Sequence, residues 1–236
     1  MTQQREPPQS AHRIDRWREL GNSVTRRDSV WAAQLIVAFA IALDLALPDK
    51  LTIGPFWLLP AVEATLLFGL VGASPRTRLR HSPWRRRMAL ALIALVSLVN
   101  VVSVILLIHY LLHGGKAGGR SLIFSGIALW GTNVLLFGIW YWELDRGGPL
   151  ARAQATGAAP DFLFPQMSDA AHLVRPDWMP GLIDYLYVSL TNSAAFSPTD
   201  TMPLSASAKL LMGAQSLVSI LIVLLVVARA VNILGS

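Results

Sequence analysis

Residues 88–112 read MALALIALVSLVNVVSVILLIHYLL, twenty-five positions without an Asp, Glu, Lys or Arg. An α-helix rises about 1.5 Å per residue, so this run exceeds the roughly 30 Å hydrocarbon layer of a bilayer. It predicts a transmembrane helix, because a strand of a membrane barrel would read as a short alternating segment instead. Similar apolar runs occupy residues 30–47, 54–72, 122–142 and 210–234, which makes five predicted spans. A sixth segment, 181–198, is shorter and carries Asp184, Ser189, Thr191, Asn192 and Ser193. The expected fold class is therefore all-α: a polytopic transmembrane helix bundle with five spans plus one marginal or re-entrant segment.

Composition agrees. Of the 236 residues 53% are hydrophobic and 14% charged, against about 25% charged in soluble domains. The chain divides into a basic tail (1–29), a four-helix transmembrane region (30–142), a Pro- and Gly-rich connection (143–180), and a C-terminal part (181–236). The last holds the marginal or re-entrant helix and the final transmembrane helix. Polar residues precede the first apolar run and no small-residue cleavage site follows it, so no cleaved signal peptide is expected.

Charge placement sets the expected orientation. The tail carries six arginines and the 73–87 loop six more, while the 48–53 turn has one lysine and the 113–121 turn two basic residues. The basic loops should face the cytoplasm, with the N-terminus inside the cytoplasmic (inner) membrane. The 143–180 connection then lies on the cytoplasmic side too. If 181–198 crosses, there are six helices and the C-terminus is inside; if it re-enters, there are five and the C-terminus is outside. The expectation leans toward crossing.

The net charge of +6 clusters at the membrane flanks. It fits topology and anionic lipid headgroups at the basic loops better than nucleic acid. The expected partners are the lipid bilayer and a second copy in a homo-oligomer. The chain has no cysteine, which excludes disulfides, thiolate metal sites and cysteine nucleophiles. His12, His81, His109, His113 and His172 show no metal-ligand spacing; His109 and His113 stand four apart but straddle a helix end beside glycine. No metal, cofactor or catalytic residue is expected.

The candidate chemistry lies in a polar seam at mid-membrane depth. Glu63 sits at the centre of the second run, where a carboxylate costs about 3 kcal/mol on insertion scales and so faces the bundle interior. Ser97, Asn100 and Ser103 form a stripe on the third run, Asn133 lies on the fourth, and Thr191 and Asn192 on the marginal segment. Gln215, Ser216 and Ser219 line part of the last run. Such groups serve as packing glue between helices or, sharing one depth with Glu63, line a cavity. Trp140, Tyr141 and Trp142 close the fourth run, as an interfacial aromatic belt would. Glu143, Asp145 and Arg146 follow and suggest an interfacial ion pair of little energetic weight.

The tract from Asp184 to Pro203 is the most distinctive. Through Asp184, Leu186, Tyr187, Thr191, Phe196, Asp200 and Asn232, the C-terminal third resembles an uncharacterised family of bacterial multi-pass membrane proteins. It departs from that pattern at Asn192-Ser193-Ala194-Ala195, and its gap to Asp200 is longer by one residue. The resemblance implies a membrane location and no known activity. Ser189, Ser193, Thr199 and Asp200 also echo a potassium-channel pore loop, but the filter glycines whose carbonyls replace an ion's hydration shell are missing. The functional expectation is an ion or small-solute transport or channel-like protein; the alternative is a non-catalytic module that binds or regulates another membrane protein. An enzyme is not expected.

Overall fold

A computed structural model describes residues 29–45, 61, 65, 83–113, 119–153, 158–168, 178–195 and 200–234. These residues are mostly helical. Helix α1 spans Ser29–Leu45, α2 Pro83–Leu112 and α3 Gly119–Leu144. A 3-10 turn, Asp145–Gly147, leads into short α4, Pro149–Ala153. Strand β1, Phe162–Leu163, and a 3-10 turn, Pro165–Met167, precede α5, Leu182–Ala195. Strand β2, Met202–Pro203, leads into α6, Ala206–Leu234. Of the second predicted span only Ala61 and Thr65 are described; the Thr65 hydroxyl bonds the Ala61 carbonyl one helical turn back, at 2.7 Å.

Among the described residues three helices are long and apolar enough to cross a membrane: Arg86–Leu111, Leu122–Gly147 and Ala206–Ala228. The apolar part of α1, Ala32–Leu43, is shorter. The all-α expectation holds, while the described residues support three such helices rather than five. Helix α3 is the centre of the bundle, with 61% of its apolar window buried against 39% in α2 and 22% in α6. Every other long helix packs on it. Outward faces carry Leu35, Leu98, Ile105, Ile127, Leu217 and Leu224, all exposed. Inward, Val37, Leu92, Leu136, Tyr141, Phe162 and Tyr185 share one core.

The two strands pair antiparallel, Phe162 opposite Pro203 and Leu163 opposite Met202. This two-residue ladder decides the path of α5. Residues 161–163 sit at the C-terminal end of α3, because the Asp161 amide donates to the Asp145 carboxylate at 2.7 Å. Helix α5 starts at that same end, where Tyr185 bonds Asp145. After α5 the chain returns there, since the Leu204 amide donates to the Asp161 carbonyl at 2.8 Å. Helix α6 then leaves antiparallel to α3, with Gln215 beside Tyr141, Ser219 beside Asn133 and Val226 beside Gly126. Helix α5 thus begins and is left at one end of the bundle. The helical part of 181–198 has 14 residues, roughly 21 Å, and the strand ladder places residues 202–204 back beside the end of the bundle where α5 begins.

Candidate functional site

Two polar clusters are built on α3. The deeper one centres on Gln215, fully buried on α6. From Ala206 to Gln215 is roughly 14 Å along the helix, about half the depth of a hydrocarbon layer. The Gln215 amide nitrogen donates to the Ser189 carbonyl at 3.0 Å, the Ser189 hydroxyl at 2.6 Å and the Ser193 hydroxyl at 2.7 Å. Its oxygen accepts from the Tyr141 hydroxyl and from the Asn192 amide at 2.9 Å. Asn192 also donates to the Met212 carbonyl at 3.0 Å, and its oxygen accepts from Ser216 at 3.2 Å. The Ser189 hydroxyl donates to the Val134 carbonyl at 2.6 Å, which fastens α5 to α3. Asn133 extends the network to the Ser219 hydroxyl at 2.8 Å.

Small residues make the approach possible. A Cβ on Gly138 would meet Leu186 Cδ2 at 2.6 Å and the Leu186 backbone at 3.1 Å. Helix α5 therefore packs closely on α3, and the buried side chains of Ser189, Asn192, Ser193 and Gln215 find partners on neighbouring helices, as apolar surroundings require.

The structure brings together seven of the predicted residues, Asn133, Ser189, Asn192, Ser193, Gln215, Ser216 and Ser219. Asn100 is buried elsewhere and donates to the Leu129 carbonyl at 3.2 Å. Ser97, on the same stripe, accepts from the Trp140 indole at 3.0 Å. Thr191 turns back onto its own helix, bonding the Tyr187 and Val188 carbonyls at 3.0 Å each. Asp200 is exposed beside β2. Glu63 and Thr199 lie outside the described residues. Thr132 is fully buried, and its hydroxyl oxygen has no hydrogen-bond partner.

The second cluster caps the C-terminal end of α3. The chain leaves the helix with Arg146 at φ 52°, Gly147 at 79° and Gly148 at 99°. This left-handed turn is open to glycine and strained for arginine. It lets Arg152 fold back, and its guanidinium donates to the Trp142 and Asp145 carbonyls at 2.7 Å each. A cation thus meets the carbonyls at the helix end, where the Asp145 oxygen also accepts from the Gly148 amide at 3.0 Å. Burial pulls the Arg152 pKa below its usual value, while Tyr185, Asp145 and Glu143 oppose the shift.

Asp145 is wholly buried. Its carboxylate accepts from the Tyr185 hydroxyl at 2.5 Å and the Asp161 amide at 2.7 Å. In return the Asp161 carboxylate accepts from the Arg146 amide at 3.0 Å. The Tyr185 ring meets Phe164 edge-on at 5.3 Å and lies 5.1 Å from the Arg152 guanidinium. Asp184 reaches back to the Gly181 amide at 2.7 Å and caps α5; burial raises its pKa, an effect the Gly181 bond opposes.

Two expectations are corrected here. Glu143, Asp145 and Arg146 are more than an interfacial ion pair: Asp145 is a buried anchor for three segments. Tyr141 and Trp142 are buried rather than belted at an interface, because the cap folds over the helix end. What the sequence reasoning missed is Arg152, Asp161 and the hub role of Tyr141. Among the described residues no group of three His, Asp or Glu is placed to hold a metal ion. No family model, no curated protein and no solved structure matches the chain.

Proposed function

We propose that this is an integral protein of the cytoplasmic membrane in which α5 is a re-entrant helix, and that it provides a path for an ion or small polar solute. The supporting observation is the return of the chain to the Asp145–Asp161 cap after α5 has carried Ser189, Asn192 and Ser193 to the depth of Gln215. Irregular backbone at membrane depth is tolerated where protein or a water-filled cavity shields it. Transporter sites also form near the midplane beside broken helices. In this reading the hydrogen-bonded hub is the closed form of the path, and Glu63, at similar depth in the second run, is its ionisable group. The chain crosses five times, with the tail, the 73–87 loop and the cap in the cytoplasm.

The test is flux in proteoliposomes, followed with pH- and potential-sensitive dyes under imposed H⁺, Na⁺, K⁺ and Cl⁻ gradients. Flux above that of protein-free vesicles, altered by Asn192→Ala and by Glu63→Gln, is the expected result. Vesicles as tight as protein-free ones under all four gradients would sink the transport reading.

A second reading has its own support. Gln215, Asn192, Ser189 and Asn133 are all bonded to neighbouring helices, as packing glue would be. The protein is then a non-catalytic module that presents its cap to another membrane protein. Replacing all of 143–180 would destroy the Asp145–Asp161–Arg152 framework and prove nothing about docking. Charged substitutions at Met179, Met202 and Leu204, all exposed, are the sharper probe: they release a co-purifying partner if the cap docks.

A further inference from the structure

At the far end of the bundle from the cap, α2 finishes on two histidines. The end is set by polarity: Arg86 at the start of α2 lies against Glu143 at the end of α3. Glycine follows His113 closely in sequence, yet the helical hydrogen bonding runs on. The His113 amide donates to the His109 carbonyl at 3.1 Å, so the two side chains share one helix face one turn apart. Their rings lie together, with centroids 4.0 Å apart and planes inclined by 33°. Both residues are exposed.

The tautomer of one ring follows from its contact. His113 Nδ1 is 2.9 Å from the His109 carbonyl oxygen. A carbonyl only accepts, so Nδ1 carries the hydrogen and Nε2 keeps its lone pair. Histidines that ligate metals are commonly held this way, one ring nitrogen donating to a carbonyl and the other free to coordinate. Two imidazole nitrogens on a tetrahedral zinc ion, each about 2.0–2.1 Å from the metal, are roughly 3.4 Å from one another. The ring centroids, 4.0 Å apart, are close to that spacing.

We propose that His109 and His113 form a two-histidine clamp for a divalent ion of the borderline class, Zn²⁺, Ni²⁺ or Cu²⁺, with water completing the shell. Imidazole selects these ions over Mg²⁺ and Ca²⁺, which take oxygen ligands. With two protein ligands the ion exchanges with the medium. Bound, it ties together the last turn of α2, from His109 to His113.

The test uses the full chain without a histidine tag, in nanodiscs at neutral pH. Zn²⁺ and Ni²⁺ are titrated by equilibrium dialysis, and His109→Gln, His113→Gln and the double variant are compared with wild type. Circular dichroism checks that helix content is unchanged. The clamp predicts one ion per chain above the level of the double variant, at least tenfold weaker binding in either single variant, and no corresponding Mg²⁺ uptake. Equal binding by wild type and the double variant overturns the proposal, as does a single variant that binds like wild type.

Discussion

Gln215 shows how one side chain organises three helices. Its amide joins α6 to α5 through Ser189, Ser193 and Asn192, and to α3 through Tyr141. Leucine has similar volume and no hydrogen-bonding group, so Gln215→Leu removes the partner and leaves those buried groups behind. Each buried polar group left unsatisfied costs about 1–3 kcal/mol, and the smaller end applies inside membranes, where unfolded states also find partners. Gln215→Leu should therefore lower the midpoint of thermal unfolding in detergent by several degrees, whereas Leu217→Ala, on the exposed face of α6, should leave it almost unmoved. Equal midpoints for Gln215→Leu and wild type would mean that the network contributes nothing to stability. Part of this hub was legible in the sequence. Asn133, Ser189, Asn192 and Ser193 stand out because amides and hydroxyls are conspicuous in apolar runs. Tyr141 did not, because a tyrosine near a helix end reads equally as an interfacial residue, and only the fold of the cap buries it. Arg152 and Asp161 lie in a Pro- and Gly-rich stretch without periodicity, where nothing local announces burial.

The elements follow their own logic. Apolar runs located α1, α2, α3 and α6 well, because helix length and composition are local properties: the predicted 88–112 and 122–142 became Pro83–Leu112 and Gly119–Leu144. The path of α5 was not local. It depends on a two-residue ladder between segments some forty positions apart, too short to leave a pattern. Helix α5 also needs a close seat, which Gly138 provides on α3. In Gly138→Ala the new methyl would press on Leu186 Cδ2 at 2.6 Å and on the Leu186 backbone at 3.1 Å, so the Leu186 side chain must turn away and α5 must give by a few tenths of an ångström. Overpacking of this kind costs about 1–3 kcal/mol. Gly213 on α6 is the control, because nothing lies within 4 Å of its added Cβ, and alanine in a helix is favoured over glycine by about 0.5–1 kcal/mol. Gly138→Ala should lower the unfolding midpoint and loosen α5 by hydrogen exchange at 182–195, while Gly213→Ala should leave the midpoint unchanged or raise it slightly. If the two variants behave alike, the seat of α5 on α3 is looser than the geometry implies.

Across the whole molecule, the path of α5 decides which side the C-terminus occupies. Helix α3 ends at the cap, and α6 starts from the same cap because Leu204 is tied to Asp161 and Asp161 to Asp145. A helix that leaves the cap antiparallel to α3 ends at the other face. Its apolar part, Ala206–Ala228, has 23 residues, roughly 34 Å, enough to cross a layer about 30 Å thick. In the proposed orientation the cap lies in the cytoplasm: it adjoins Arg86 in the first turn of α2, next to the arginines that precede that helix in sequence, and such basic flanks stay inside. The C-terminus should then lie outside, the reverse of what a crossing α5 would give. The absence of native cysteine makes the check clean. Ser236→Cys reports the end of α6, and Ser168→Cys, exposed in the cap, reports the cytoplasmic face. With a membrane-impermeant maleimide on intact cells, position 236 should label at once and position 168 only after permeabilisation. Labelling of both positions from the same side would contradict the re-entrant path, and with it the case for a half-helix beside a permeation route. Labelling of 168 alone from outside would keep the path of α5 and invert the charge-based orientation, moving the cap and any partner it binds to the outer face.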